Sequence, residues 1–258
     1  MRYTDALGNT FKQIPKEELR IVSLVPSQTE LLIDLGLEEQ LVGITKFCVH
    51  PVDLRKKKKI VGGTKQLHAE KVAALKPNLI LCNKEENTKE IVENLQAIAP
   101  VWVTDMFTLE DSLQTILDLG SFLNVSDKAS HLVEEIQKEA FDFAAFMKDK
   151  PKRRILYFIW KNPYMAAGKN TFVDDLLQRN KMQNVLSENS RYPEVSPENT
   201  TKPDIILLSS EPFPFAEKHR QEIDDDWGVP TMLVDGEYFS WYGSRLRDAF
   251  AYFKSLHK

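Results

Sequence analysis

The feature that most constrains the fold is an unbroken stretch, residues 126–150, that contains neither glycine nor proline. Its apolar residues recur at steps of three and four positions, the spacing of one helix face: Leu132, Ile136, Ala140, Phe143 and Met147. This spacing predicts one long amphipathic helix, with Ser126 as its N-cap and Pro151 as its stop. Roughly 24 residues at ~1.5 Å each would form a rod of about 36 Å, long enough to connect two bodies rigidly.

Apolar runs and helical patterns alternate on both sides of this helix. The predicted strands are residues 20–25, 41–44, 79–82, 101–103, 154–159, 205–208 and 231–234. The other predicted helices are residues 27–36, 71–76, 88–98, 109–123, 171–179 and 246–256. Such alternation favours an α/β protein with parallel sheets and helices on both faces. The first predicted strand is followed by a helix at Pro26, and there Ser27 and Glu30 have the spacing of a capping box.

The two halves also echo each other. The motif KPNLIL begins at Lys76 and KPDIIL begins at Lys202, and each places a proline just before a buried strand. A glutamate stands shortly upstream of each motif, Glu70 in the first and Glu198 in the second. We therefore expect two similar lobes, an N-terminal α/β lobe over residues 18–124 and a C-terminal α/β lobe over residues 152–258, joined by a linker helix over residues 125–151.

Composition excludes several classes of function. The chain has 34 Lys and Arg against 38 Asp and Glu, a net charge of −4, which is the wrong sign for binding phosphates, so no nucleic-acid partner is expected. No apolar run approaches the about 20 residues of a membrane span. Residues 1–16 lack the apolar segment and cleavage site of a secretory signal.

Motifs for catalysis and metal binding are missing from the sequence. It contains no G-x-S-x-G elbow, G-x-G-x-x-G turn, phosphate loop or HExxH pair. The five histidines are scattered without ligand spacing, and Cys48 with His50 supplies only two soft donors. We expect a protein that is not an enzyme, with no catalytic residue, no bare metal site and no resident cofactor.

Four segments resemble a known family, the substrate-binding proteins of cobalamin and ferric-siderophore ABC importers, also called helical-backbone metal receptors. They are RIVSLVPSQTELLIDLGL from residue 20, VGITKFCVHP from residue 42, GGTKQLHAEKVAALKPNLIL from residue 62 and VSPENTTKPDIILLSS from residue 195. The resemblance covers residues 20–256 and implies two parallel-sheet lobes joined by one long rigid helix, a class III periplasmic-binding-protein-like fold. It also implies that a corrinoid or chelated-iron ligand is captured in a cleft between the lobes and delivered to an ABC transporter permease.

The loops at the strand ends are where an open α/β sheet binds its ligand. Aromatic side chains in such turn-rich segments suit a broad, flat, largely apolar ligand. The predicted ligand-binding residues are Phe47, Thr64, Trp160, Tyr164, Tyr192, Tyr238, Trp241, Tyr242 and Arg245, with residues 209–215 as a rim. Trp160, Tyr192 and Trp241 are the strongest candidates. The alternative is that about half of these side chains pack beneath loops, and that Arg245 pairs with an acid such as Glu237.

Two positions depart from the cobalamin-binding members that the sequence most resembles. Thr64 stands where those proteins have a tryptophan against the ligand, and Phe47 replaces a tyrosine. The ligand therefore stays open among a corrinoid, haem and a ferric siderophore.

The resemblance assigns Glu70 and Glu198 to the tips of the two lobes, where such proteins meet arginine pockets on the permease. The alternative for each glutamate is a position in the first turn of a helix, where it complements the helix dipole. A second functional hypothesis also stays open at this point, a soluble intracellular corrinoid sensor or an enzyme on the same scaffold. The resemblance predicts a monomer in the periplasm or at the cell surface, whereas a native chain without a signal peptide would be cytoplasmic.

Overall fold

The computed structural model describes residues 2–257, so Met1 and the last residue of the predicted second lobe, Lys258, lie outside it. Within this range the chain forms two compact units. Unit 1 contains residues 2–105, Glu110–Ile136 and Tyr242–Arg245. Unit 2 contains Met106–Leu109, Gln137–Trp241 and residues 246–257. Every helix between residues 2 and 257 is too short or too polar to cross a bilayer.

Unit 1 is built on a five-stranded parallel sheet with the order β5-β4-β3-β6-β7. The strands of unit 1, including an N-terminal hairpin, are β1 (Arg2–Thr4), β2 (Thr10–Lys12), β3 (Ile21–Ser23), β4 (Leu41–Ile44), β5 (Lys59–Ile60), β6 (Leu79–Asn83) and β7 (Val101–Thr104). Its helices are α1 (Pro26–Asp34), α2 (Leu54–Lys57), α3 (Ala69–Ala74), α4 (Lys89–Gln96) and α5 (Leu109–Phe122). All residues of β3, β6 and β7 are buried, as expected for a parallel sheet covered on both faces.

The long helix is present as α6 (Ser126–Met147), which has 22 residues. Four residues of the predicted apolar stripe are at most 4% exposed: Leu132, Ile136, Phe143 and Met147. The prediction of one continuous amphipathic helix is confirmed, although the helix ends at Met147 rather than next to Pro151. Its first half, up to Ile136, belongs to unit 1, and its second half belongs to unit 2.

Unit 2 repeats the parallel arrangement with the order β10-β8-β11-β12 and one antiparallel strand, β9, beside β8. Its strands are β8 (Arg153–Trp160), β9 (Met165–Ala166), β10 (Met182–Asn184), β11 (Ile205–Ser209) and β12 (Thr231–Val234). Its helices are α7 (Phe172–Arg179), α8 (Glu217–Trp227), α9 (Glu237–Ser240) and α10 (Leu246–Ser255). The predicted α/β class is therefore confirmed.

The sequence echo corresponds to a structural repeat. The Asn78 side-chain carbonyl accepts a hydrogen bond from the Arg20 amide at 2.8 Å, and the Asp204 carboxylate accepts one from the Arg154 amide at 2.9 Å. The acceptor lies just before β6 in unit 1 and just before β11 in unit 2, and the donor lies at the start of the paired strand, β3 or β8. The same polar contact thus occurs at the start of the β3–β6 pair and of the β8–β11 pair.

The predicted capping box at the start of α1 is not how this helix begins. Helix α1 starts at Pro26, and Val25 occupies the N-cap position in an extended conformation. Ser27 lies inside the helix and is buried, whereas the Glu30 carboxylate forms a bidentate ion pair with Arg245. The Glu30 carboxylate, which the local sequence pattern predicts to cap the start of α1, is therefore bound instead by Arg245, a residue distant in the sequence.

The hairpin formed by β1 and β2 was not predicted from the sequence, and one buried carboxylate fixes it. Asp5 is 8% exposed and accepts hydrogen bonds from the amides of Leu7, Asn9 and Val103 at 2.8–3.1 Å. The Phe11 ring of β2 packs 4.9 Å from the ring of Trp102. The hairpin is thus bound to β7, the last strand of the unit 1 sheet.

We expect Asp5→Ala to lower the free energy of unfolding by about 1–3 kcal/mol, because buried amide donors would lose their acceptor. Urea denaturation followed by circular dichroism measures this change. Asp142→Ala is the matched control, since Asp142 is exposed on α6 and its loss should cost less than about 0.5 kcal/mol. Equal stabilities of the two variants would contradict the anchoring role of Asp5.

Candidate ligand-binding site

The strand order of each unit indicates where a ligand would bind. In open parallel sheets, ligands bind beyond the carboxyl ends of the strands, at the point where successive connections run in opposite directions. This point lies between β3 and β6 in unit 1 and between β8 and β11 in unit 2. The loops that follow these strands and their neighbours are therefore the candidate site on each unit.

Three such loops of unit 1 are bonded into one surface. The Lys46 amide, after β4, donates to the Gly62 carbonyl at 2.8 Å. The Asn87 side chain, after β6, donates to the Thr64 carbonyl at 3.0 Å and accepts from the Asn83 amide at 2.9 Å. We call this surface the unit 1 loop face, residues 45–48, 61–67 and 83–88. It contains two of the predicted ligand residues, Phe47 and Thr64.

Phe47 is the most prominent apolar side chain of the unit 1 loop face, with 49% of its surface exposed. Its ring lies against Gly63, where an added Cβ would be 3.1 Å from Phe47 Cε2, so the glycine permits this close approach. The Lys46 ammonium lies 5.0 Å from the centre of the same ring. An exposed ring beside a cation is able to contact a ligand that is both apolar and negatively charged.

A cluster of buried polar side chains lies beneath the unit 1 loop face. Thr29 Oγ1 lies 2.8 Å from Ser23 Oγ and 3.2 Å from Cys48 Sγ, which also lies 3.3 Å from Thr45 Oγ1. Burial raises the pKa of the Cys48 thiol, so the sulfur is a neutral hydrogen-bonding partner of the two threonine hydroxyls. Within residues 2–257, no group of three or more His, Cys, Asp or Glu side chains is arranged to hold a metal ion.

Trp160 occupies the corresponding place on unit 2, at the carboxyl end of β8. It is 41% exposed, and the Phe213 ring meets it edge-on at 5.7 Å. The Phe213 amide donates to the Ile159 carbonyl at 3.2 Å, which joins the loop after β11 to the end of β8. We call Trp160 and Phe213 the unit 2 aromatic pair. Phe213 lies in the predicted rim segment, residues 209–215.

Tyr164 and Tyr192 lie on two adjacent segments of unit 2. Tyr164 is partly buried and stacks on Phe158 at 5.1 Å, and burial raises its pKa to about 12. Tyr192 has the Arg191 guanidinium 5.7 Å from its ring centre. The same guanidinium lies 5.8 Å from the ring of Phe107, so it is placed against two aromatic rings.

The predicted residues between 238 and 245 are more enclosed. Tyr238 stacks on Tyr252 at 4.6 Å, and Trp241 is 7% exposed and donates to Glu211 Oε1 at 2.9 Å. Tyr242 is 5% exposed. Tyr238 and Trp241 belong to unit 2, whereas Tyr242 and Arg245 belong to unit 1. The burial of Trp241 and Tyr242 favours the packing alternative for these two side chains.

Arg245 is held by an acid of unit 1. Its Nε lies 3.0 Å from Glu30 Oε2 and its Nη2 lies 2.6 Å from Glu30 Oε1. Burial raises the pKa of Glu30 although the Arg245 guanidinium acts in the opposite direction. A ligand group that binds Arg245 would thus contact a guanidinium that is already paired with the Glu30 carboxylate.

The two predicted docking glutamates are both exposed but differ in local structure. Glu70 lies in the first turn of α3, 3.5 Å from His68 Nδ1. Glu198 lies in a turn rather than in a helix, so the helix-dipole alternative does not apply to it. Hydrogen bonds from the Ser196 hydroxyl and from its own backbone lower the pKa of Glu198, which keeps its carboxylate charged at neutral pH.

Sequence reasoning missed three residues of these surfaces. Lys46 and Arg191 each adjoin a predicted aromatic residue in the chain, and Phe107 meets Arg191 across the fold of unit 2. A cation beside a predicted aromatic residue was the available signal for the first two. The sequence around Phe107 did not indicate a role in the site, because the Phe107 ring is contacted by Arg191, which is distant in the sequence.

Two parallel α/β units with aromatic and cationic side chains at their strand ends define a ligand-binding protein of the two-unit type. The family model described as "Periplasmic binding protein" matches residues 21–226, and the chain belongs to this family. This membership confirms the predicted resemblance. It also confirms the expectation of a binding protein rather than an enzyme and does not favour the intracellular sensor or enzyme alternative.

Individual relatives are distant but cover most of the chain. The "Uncharacterized ABC transporter substrate-binding lipoprotein YvrC" of Bacillus subtilis is 26% identical over 215 residues, 80% of this chain and 68% of that protein. The vitamin B12-binding protein of Pectobacterium carotovorum is 24% identical over 237 residues, 88% of this chain and 84% of that one. A periplasmic haem-binding protein from Pseudomonas aeruginosa has the same fold, with a TM-score of 0.79, 24% identity, and coverage of 95% of this chain and 93% of that one.

Proposed function

We propose that this protein captures a large metal chelate, a corrinoid, haem or a ferric siderophore, and delivers it unchanged to the permease of an ABC importer. The observation that carries the proposal is the exposure of Phe47 and Trp160, large aromatic side chains placed at or just beyond the carboxyl ends of strands. Side chains of this kind are normally buried, and their exposure beside a topological switch point is typical of a ligand site. The names of the relatives, which include vitamin B12-binding protein, support the ligand class.

Four residues are the proposed ligand contacts with the best structural support. Phe47 and Thr64 lie on the unit 1 loop face, Trp160 belongs to the unit 2 aromatic pair, and the Tyr192 ring lies beside the Arg191 guanidinium. Tyr164, Tyr238, Trp241, Tyr242 and Arg245 remain predicted contacts whose side chains are also engaged within their own unit. Glu70 and Glu198 are the proposed contacts to the permease. We further propose that the protein acts as a monomer outside the cytoplasmic membrane, in the periplasm or at the cell surface.

A titration of intrinsic tryptophan fluorescence tests ligand capture. Cobalamin, cobinamide, haem and a ferric catecholate siderophore are added separately, and we expect saturable quenching with one of these ligand classes. The ligand recovered from the complex should be chemically unchanged. A linear, unsaturable response with all four compounds would contradict the proposed function.

A further inference from the structure

The longest run of consecutive cations in the sequence lies in unit 1, outside the unit 1 loop face. Residues 51–60, which we call the basic segment, contain five cations in a row, residues 55–59, against one carboxylate, Asp53. The chain as a whole has a net charge of −4. The basic segment therefore has the opposite sign to the protein that carries it.

In the described part of the chain, carboxylates neutralise one of these five cations. The Lys57 ammonium lies 2.7 Å from Asp53 Oδ2 and 3.5 Å from Glu38 Oε1. Between residues 2 and 257, no carboxylate lies within ion-pair distance of the other four cations, Arg55, Lys56, Lys58 and Lys59. The basic segment thus carries four positive charges that no carboxylate of the described residues balances.

The basic segment has a fixed position on unit 1. Its Leu54 is fully buried. The Arg55 guanidinium donates to the Lys46 carbonyl at 3.3 Å, and the Lys58 ammonium donates to the Glu38 carbonyl at 2.6 Å. Because the acceptors are neutral carbonyls, these bonds position the two side chains without cancelling their charge. The cations therefore occupy one defined region of the surface.

Exposed aliphatic side chains flank the cations on both sides in the sequence. Val52 is 84% exposed and Ile60 is 41% exposed. Cations next to exposed aliphatic side chains suit a membrane surface, because the cations attract anionic headgroups and the aliphatic side chains enter the boundary between headgroups and acyl chains. The composition of the basic segment is therefore complementary to an anionic bilayer.

The basic segment leads directly to the proposed docking residue of unit 1. It is followed by Val61, whose carbonyl accepts a hydrogen bond from the His68 amide at 3.0 Å. The Nδ1 atom of His68 lies 3.5 Å from Glu70 Oε1. Docking of Glu70 on a permease would therefore bring the basic segment close to the bilayer in which the permease is embedded.

We infer that the basic segment binds anionic phospholipid headgroups of the membrane that holds the permease. The inference rests on the proposed docking through Glu70 and goes beyond ligand capture, because it assigns a second surface and a second partner. The four unbalanced cations pair with headgroup phosphates, and Val52 and Ile60 enter the interface. The attraction is mainly electrostatic, so binding weakens as the salt concentration rises.

Co-sedimentation with lipid vesicles tests this inference without any ligand. Vesicles of phosphatidylcholine alone are compared with vesicles of equimolar phosphatidylcholine and phosphatidylglycerol, and we expect clearly tighter binding to the anionic vesicles. The double variant Lys56→Gln with Lys59→Gln should bind them about 20-fold more weakly, since each cation near an anionic surface contributes about 5-fold. Val52→Ser should weaken binding by about 3-fold, because an apolar contact is lost.

The control is the double variant Lys138→Gln with Lys152→Gln, which removes the same charge from two exposed lysines of unit 2 and should bind the anionic vesicles as the unsubstituted protein does. Equal binding to both kinds of vesicle, or full binding by the Lys56 and Lys59 variant, would overturn the inference. Loss of co-purification with the permease in neutral detergent by that variant would also overturn it, because the basic segment would then contact protein rather than lipid. Ligand titration tests the proposed function separately, and both double variants should retain full ligand affinity.

Discussion

Replacing Glu70 and Glu198 together by alanine is expected to abolish permease-dependent uptake while leaving ligand affinity unchanged. Both carboxylates are exposed, and neither lies on the loop surfaces proposed to bind the ligand. Truncating a charge that is hydrogen-bonded in an interface costs about 2–5 kcal/mol. Two such losses would weaken the complex with the permease by a factor of about 1,000 or more.

Uptake of radiolabelled ligand and co-purification with the cognate permease measure this effect. The control is the double variant Glu93→Ala with Glu188→Ala, which removes the same charge from one exposed glutamate in each unit. Glu93 and Glu188 each lie 3.6 Å from a lysine, much as Glu70 lies 3.5 Å from His68. Normal uptake by the Glu70 and Glu198 variant would exclude these residues from docking, and equal loss in the control would indicate a general charge effect.

Trp160→Ala and Trp241→Ala should have opposite consequences, although both tryptophans occur in turn-rich sequence. Trp160 is 41% exposed, so its removal should weaken ligand binding by about 1–3 kcal/mol, the scale of a binding hot spot, with little change in stability. Trp241 is 7% exposed and hydrogen-bonded to Glu211, so its removal should lower the free energy of unfolding by about 3–5 kcal/mol.

Ligand titration and urea denaturation of both variants distinguish these outcomes. Trp241→Phe serves as a second variant, since it keeps most of the apolar volume and loses the indole donor to Glu211. If Trp241→Ala binds ligand poorly but unfolds at the same urea concentration as the unsubstituted protein, Trp241 is a wall of the ligand site. If Trp160→Ala is strongly destabilised, Trp160 belongs to the core and the proposed unit 2 contact is wrong.

The elements predicted correctly are those whose own sequence carries the signal. Strand β6 is an apolar run bounded by Pro77, and α6 has a regular apolar stripe over many turns. The missed elements lack such a signal. Helix α8 buries only Ile223 and Trp227 among largely polar residues, and strands β1, β2 and β10 have three residues each.

The site was predictable in place but not in detail. Parallel strands must end at one edge of a sheet, so the loops containing Phe47 and Trp160 could be expected to face a ligand. Burial of individual side chains depends on distant partners, such as Glu211 for Trp241 and Glu30 for Arg245. Trp241 and Glu211 are 30 residues apart in the sequence, and Arg245 and Glu30 are 215 residues apart. Local sequence patterns therefore do not predict these contacts.

Native mass spectrometry of the purified protein after incubation with the mixed ligands tests the central claim most directly. The account predicts one new species, equal in mass to one protein chain plus one intact metal chelate, and release of that chelate unchanged on denaturation. A spectrum that shows only the unliganded chain with every compound, or one in which the bound compound has been chemically altered, would contradict the account.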